Sequence, residues 1–186
     1  RMANDAQQIE SLKRRIKDLQ LQLGMGDGPK VSPLAPKTFP ALPPIAGVRF
    51  AAVAAGVKYA GRTDVMLAEL APGTSIAGTF TQSATRSANV LDCQAKIGTD
   101  STDGAAFIVN SGNSNAFTGR AGDGSDKAIC EAVAQTSQVP EARVFTSSTG
   151  VIGERLPHDR ITAKLGELTA ALDPASLPAA ARAIMT

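Results

Sequence analysis

The chain contains no tryptophan, one tyrosine, one histidine and two cysteines among its 186 residues. Aromatic residues make up 4%, and the formal net charge is only +2. Nucleic-acid readers need a basic surface, often with stacking rings, and both signals are missing. No apolar run approaches the roughly 20 residues of a membrane span. No N-terminal apolar stretch marks a secretory signal, and the basic first segment carries Glu10 and Asp18, unlike an organelle transit peptide. The expected address is cytoplasmic. Cys93 and Cys130 stand too far apart for a CxxC or zinc framework, so no metal is expected and both read as free thiols. The single histidine, His158, follows Pro157 at an apparent helix start and has no nucleophile beside it in sequence, which reads as a helix-surface position.

What is present is an ordinary globular composition, with 43% hydrophobic and 19% charged residues. Residues 5–23 read as a helix in which Ile9, Leu12, Ile16, Leu19 and Leu23 recur at steps of three and four. That seam suits self-association, a partner helix, or docking on the chain's own body. Gly24 and Gly26 end it. Residues 32–44 hold five prolines, which fix φ and remove amide donors, so this stretch is expected to be an extended strap. The expected organisation is a helical extension over residues 1–27, a Pro-rich tether over 28–44, and an α/β domain over 45–186.

Within that domain, residues 48–53, 57–59, 63–70 and 74–81 read as short strands, the last two separated by the Pro72-Gly73 turn pair. Close spacing predicts an antiparallel meander. Residues 105–109 (AAFIV) form a continuous apolar run, expected as a buried central strand that ends at Asn110. Ser125 is a plausible N-cap for a helix bearing Ile129, Ala132, Val133 and Thr136, closed by Val139-Pro140. Residues 143–146 read as a further strand. Helices are expected over residues 159–172, with Ile161, Leu165, Leu168 and Leu172 as the buried stripe, and over 177–185, capped by Ser176. Strands first, then strands alternating with helices, give an α/β class with a helix-covered sheet.

Familiar catalytic frameworks are absent. Gly119, Gly122 and Gly124 lack the phosphate-loop spacing, Asp100, Asp103, Asp123 and Asp126 do not make a calcium loop, and one histidine without a G-x-S-x-G elbow cannot make a serine triad. Two polar loops remain at successive strand ends: VNSGNSNAF after the buried strand and TSSTGVIG after the next. Each is a turn or a set of donors aimed at a ligand, and residue chemistry alone favours a turn.

The stretches SPLAPKTFPALPPIAGVRFAAVAAGVKYAGRTDVMLAEL, TFTQSATRSANVLDC, VNSGNSNAFTG, FTSSTGVIGE and ARAIMT occur in that order from Ser32 to Thr186. Together they resemble the α-chain portion of bifunctional ornithine acetyltransferase, the glutamate N-acetyltransferase of the cyclic arginine pathway. The helical extension lies outside that resemblance.

The resemblance implies a layered α/β fold similar to self-processing N-terminal-nucleophile enzymes. It implies a precursor that cleaves itself before a threonine, which then heads a β chain and attacks with its own amine as base. Acetyl moves from N-acetylornithine to that threonine and then to glutamate. Acetyl-CoA is a second acetyl source in some relatives; no cofactor is implied. In the family the Thr-Gly of STGVIG forms the oxyanion hole, which here is Thr149 and Gly150. Thr186 falls where the family has a substrate-contacting threonine. Asn110, Asn113 and Asn115 read as scaffolding. The sequence stops before the family's cleavage segment, so the domain is expected to be incomplete at its C-terminus. Activity is expected only with the β chain, in an α2β2 assembly. A related self-processing amidohydrolase or aminopeptidase, or a non-catalytic coiled-coil fragment, are the competing readings.

Overall fold

The computed structural model describes residues 9, 11–16, 18–19, 33–34, 38, 41–99 and 101–185. The chain divides into two compact units, Arg1–Leu42 and Pro43–Thr186. In the first unit, residues 9, 11–16 and 18–19 are helical, and Ile9, Leu12, Ile16 and Leu19 of the seam are all exposed. Leu23 and most of the Pro-rich tether lie outside the described residues.

The second unit is built on a four-stranded sheet in the order β1-β2-β3-β4: β1 (Val48–Val53), β2 (Val65–Leu70), β3 (Ala105–Asn113) and β4 (Val144–Val151). The first three are antiparallel neighbours, so of the expected meander only the β1–β2 pair forms, and its next strand is the run at Ala105, which lies between β2 and β4 as the expected central strand. Arg49 faces Glu69 across β1 and β2 and pairs with it at 2.5 Å. β4 lies parallel to β3, which requires a long crossover. The crossover contains helix α2 (Arg120–Ser137). Helix α1 (Ala88–Lys96) precedes β3; α3 (His158–Thr162), α4 (Leu165–Ala170) and α5 (Leu177–Ala183) follow β4.

Strand periodicity of two places Ala51, Val53, Val65, Leu67, Ala106, Ile108 and Val144 on one face, where they pack with Ile129 and Val133 of α2, Ile161 of α3, and Leu165 and Leu168 of α4. The predicted stripe is therefore core, with Leu172 only partly buried against it. On the other face Phe107 and Phe145 stack with ring centroids 5.1 Å apart. Both outer strands have their edges partly covered, which limits edge-to-edge association. The β1 edge pairs with Asp173, Phe50 N donating to Asp173 O at 3.1 Å. At the β4 edge, Cys93 Sγ donates to Thr146 O at 3.4 Å and Lys96 Nζ to Val144 O at 3.2 Å.

Several elements differ from expectation. Residues 57–59 and 74–81 form no strand: the Val57 amide is taken by the Asp64 carboxylate at 2.6 Å, and Thr74 is drawn into the turn before it, its hydroxyl donating to Ala71 O at 2.7 Å. The Pro72-Gly73 turn does form, with Thr74 N donating to Ala71 O at 3.3 Å. Helix α1 has few strongly apolar positions and was not expected. Helix α2 starts five residues earlier than Ser125, at Arg120, with Gly119 as N-cap. Ser125 is thus interior, its hydroxyl donating to Ala121 O at 2.9 Å. The expected helix over 159–172 breaks at Ala163 and Lys164 into α3 and α4. Ser176 sits at the N-cap of α5 without a side-chain cap bond; Asp173 caps the 3-10 turn before it instead, accepting from Ala175 N at 2.6 Å.

Candidate functional site: the end of strand β4

The stretch from Thr146 to Gly150 is not a turn. It belongs to β4, where Thr146 to Gly150 stand opposite Ile108 to Gly112 of β3, and β3 itself runs four residues beyond the expected 105–109. Tertiary pairing overrode the local turn preference of Asn, Ser and Gly. The ladder is irregular at its end, where Asn113 stands opposite both Thr149 and Val151. Gly150 has φ +133°, and a Cβ there would lie 2.4 Å from Gly112 C and 2.6 Å from Asn113 N. Only glycine allows this approach. Gly112 is also constrained: at φ +98°, its Cβ would meet Lys58 Cβ at 2.8 Å.

The three asparagines are buried, and all of them brace the site. Asn110 Oδ1 accepts from Ser148 Oγ at 2.6 Å, and its Nδ2 donates to Asn113 O at 2.8 Å. Asn113 Nδ2 donates to Glu154 O at 3.0 Å, while its Oδ1 accepts from Asn115 N at 2.8 Å. Asn115 Nδ2 reaches Gly122 O at 3.1 Å, tying the loop to α2. Ser114 N and Ser114 Oγ both donate to Val151 O, at 3.0 and 2.9 Å. Buried amides with satisfied partners rigidify what they bridge.

Against this scaffold Thr149 is half-buried and Gly150 exposed. Among the described residues the Thr149 hydroxyl has no hydrogen-bond partner, whereas Thr146 and Ser148 on the same strand are both engaged. Thr186 lies outside the described residues. His158 opens α3 as expected, and its Nδ1 lies 3.0 Å from Ser125 Oγ rather than beside a hydroxyl of β4. Two surface cavities, of about 620 Å³ beside Pro44 and Pro174 and about 260 Å³ beside Arg86 and Phe117, do not include Thr149 or Gly150.

A second polar cluster, under the first half of β4, was not legible from spacing because it joins α1, α2 and β4. Asp92, Asp126 and Cys130 bring ligand-type atoms within 4.8 Å of one another, but the Lys96 ammonium is among them, 2.6 Å from Asp92 Oδ2 and 3.3 Å from Cys130 Sγ. Burial works against the Lys96 charge, yet the Asp92 hydrogen bond and nearby negative charge raise its affinity for the proton overall. Burial pushes the Asp126 carboxyl up to about 6, opposed by the Thr146 hydroxyl donating to it at 2.5 Å. Burial also pushes the Cys130 thiol up to about 12, and it raises Cys93. An ion pair within α1, whose ammonium also donates to the Cys130 thiol of α2, makes this a brace between the two helices, and a resident ammonium beside a protonated thiol is poor chemistry for a metal.

Residues 49–186 match the ArgJ family. The chain belongs to that family. It is 68% identical over 157 residues to the arginine biosynthesis bifunctional protein ArgJ of Ruegeria pomeroyi, covering 84% of this chain and 38% of that protein. It is 47% identical over 175 residues to the protein of the same name in Gluconobacter oxydans, covering 94% of this chain and 41% of that one. Thus the chain spans about two fifths of these relatives' length. Its fold matches the ornithine acetyltransferase of Mycobacterium tuberculosis complexed with ornithine, at TM-score 0.71 and 37% identity over 76% of each chain. It also matches the ArgJ protein of Bacillus halodurans, at TM-score 0.68 and 32% identity over 76% of this chain and 73% of that one. The expected α/β class and family are therefore both found. Among the described residues no helix is long and apolar enough to cross a membrane.

Proposed function

We propose that this chain supplies the oxyanion hole of an acetyltransferase in arginine biosynthesis, with Thr149 and Gly150 as the donors. A tetrahedral intermediate places negative charge on the former carbonyl oxygen, and fixed donors aimed at that charge lower the barrier. The observation that carries this reading is the Thr149–Gly150 pair itself: a hydroxyl without a hydrogen-bond partner among the described residues, beside a glycine at a backbone angle that other residues rarely adopt, on a strand end that is partly open to solvent. Rigid bracing by Asn110 and Asn113 is what a preorganised donor pair requires.

The attacking group is the N-terminal threonine of a β chain from the same precursor. Acetyl passes from N-acetylornithine to that threonine, releasing ornithine, and then to glutamate, so the cycle is ping-pong. The two chains form an α2β2 assembly in the cytoplasm, and acetyl-CoA is a second acetyl source. A half-buried hydroxyl beside an exposed glycine needs a second surface to enclose substrate, which suits a shared site between chains. Thr186 contacts substrate. The N-terminal arm takes no part in chemistry; its exposed Ile and Leu seam serves self-association.

The test is the fate of the acetyl group in the full-length, processed enzyme. With N-acetylornithine and glutamate, N-acetylglutamate should appear, and stopping the reaction without glutamate should trap a polypeptide heavier by one acetyl group. Release of free acetate at the same rate with and without glutamate would favour an amidohydrolase instead.

A further inference from the structure

Ser111 is fully buried and stands opposite Thr149 in the β3–β4 register. Paired residues present their side chains to the same face of a sheet. The face that carries the Thr149 side chain is thus the face on which Ser111 meets α5. Ser111 Oγ donates to Ala183 O, at the last residue of α5, at 2.8 Å. Arg62 Nη2 donates to Ser111 Oγ at 3.2 Å and also to Met185 O. The carbonyls at a helix C-terminus have no intrahelical partner, and a cation there is favoured by the helix dipole. Ser111 therefore satisfies a carbonyl that α5 leaves open, and Arg62 bonds the carbonyl of Met185 just past the helix, on the other side of Ile184.

The loop carrying Arg62 is itself held. Asp64 is buried, and its carboxylate accepts from Ala55 N at 2.7 Å and Val57 N at 2.6 Å. Asp64 O accepts from Ser111 N at 2.8 Å. One continuous set of bonds thus runs from the 55–64 loop through Ser111 to the end of α5. Ile184 and Met185 remain 41% and 64% exposed, although the backbone beside them is fixed. Fixed backbone with outward apolar side chains is the property of a surface that contacts something else.

We propose that Arg62 and Ser111 are positioning residues that hold the chain leaving α5 as a wall of the substrate site, on the Thr149 side of the sheet. This rests on the reading of Thr149 and Gly150 as the oxyanion donors. The donors sit on β4 and are braced separately by Asn110, Asn113 and Ser114, so loosening the wall should weaken substrate binding and leave the chemical step in place.

The test uses the full-length, processed enzyme with Arg62→Ala, Arg62→Lys and Ser111→Ala. Hydrogen–deuterium exchange of residues 182–185 should rise about tenfold in Arg62→Ala, as expected for loss of a hydrogen bond to a charged group, while β4 exchange is unchanged. KM for N-acetylornithine should rise by about the same factor with kcat within about twofold, the signature of lost uniform binding. Arg62→Lys keeps the cation but not the planar fork, and should recover part of the KM. Should Arg62→Ala not fold, Arg62→Lys and Ser111→Ala carry the same comparison at smaller amplitude. Unaltered exchange at residues 182–185 overturns the clamp, whatever the activity. Faster exchange with KM unchanged, or with kcat falling in its place, overturns the positioning role. Failure of the donor reading is seen separately, as a Thr149→Ala enzyme with normal kcat.

Discussion

Gly112 and Gly150 touch across β3 and β4 so closely that a methyl group on Gly150 would lie 2.4 Å from the Gly112 carbonyl carbon. Two facing glycines let the strands converge where the ladder is irregular. The position is fixed by backbone contact rather than by a side chain that could rearrange.

Gly150→Ala should therefore be costly twice over, through φ +133° and through overlap with three backbone atoms at 2.4 to 2.7 Å. Strain of this kind costs about 1–3 kcal/mol. A Tm lower by about 2–12 °C is expected in a scanning melt, together with loss of acetyl transfer. An alanine variant that melts and turns over like the parent would mean the strands do not approach in this way.

Thr149→Ala should behave in the opposite sense. Its hydroxyl has no internal partner among the described residues, so the Tm should not move. Turnover should fall about 100- to 1000-fold, on the order of 3 kcal/mol of barrier, while KM stays near its original value. Steady-state kinetics on the processed enzyme separate the two parameters.

Asp126 should make stability depend on pH. Burial holds its carboxyl near 6 in the fold, against roughly 4 in an unfolded chain. Between those values the folded state binds the proton more strongly, so its stabilising effect is complete below about pH 4 and is lost as pH rises through about 6. The gap corresponds to on the order of 2–3 kcal/mol. Asp126→Asn stays neutral and still accepts from Thr146. Urea midpoints at pH 4, 5, 6 and 7 should fall for the parent and stay level for the variant; parallel curves would count against this assignment.

Cys130 should be inert in the native protein. It is 1% exposed, and its thiol is pushed up to about 12, so almost no thiolate exists at neutral pH. Mass spectrometry after brief iodoacetamide treatment should find Cys130 unmodified until denaturant is added. Rapid native labelling would show that the brace of Lys96, Asp92 and Asp126 opens readily.

Local sequence determined the parts of this protein whose physics is local. Alternation in Val48–Val53 and Val65–Leu70, the run at Ala105, and the Ile161, Leu165 and Leu168 stripe each announce which side is buried, because burial follows backbone period. The order of motifs around Asn110 and Thr149 was enough to suggest the family. Tertiary structure alone decided the rest. Thr146 to Gly150 read as a turn by residue type, yet it is strand, since pairing with β3 satisfies its backbone more completely than a turn does. Helix α1 stayed hidden, with Cys93 and Lys96 serving the edge of β4 rather than a helical apolar stripe. The Asp92–Lys96–Asp126–Cys130 brace and the Arg62–Ser111–Met185 link join residues distant along the chain. Their energies come from burial and partner geometry, which exist only once the sheet has closed.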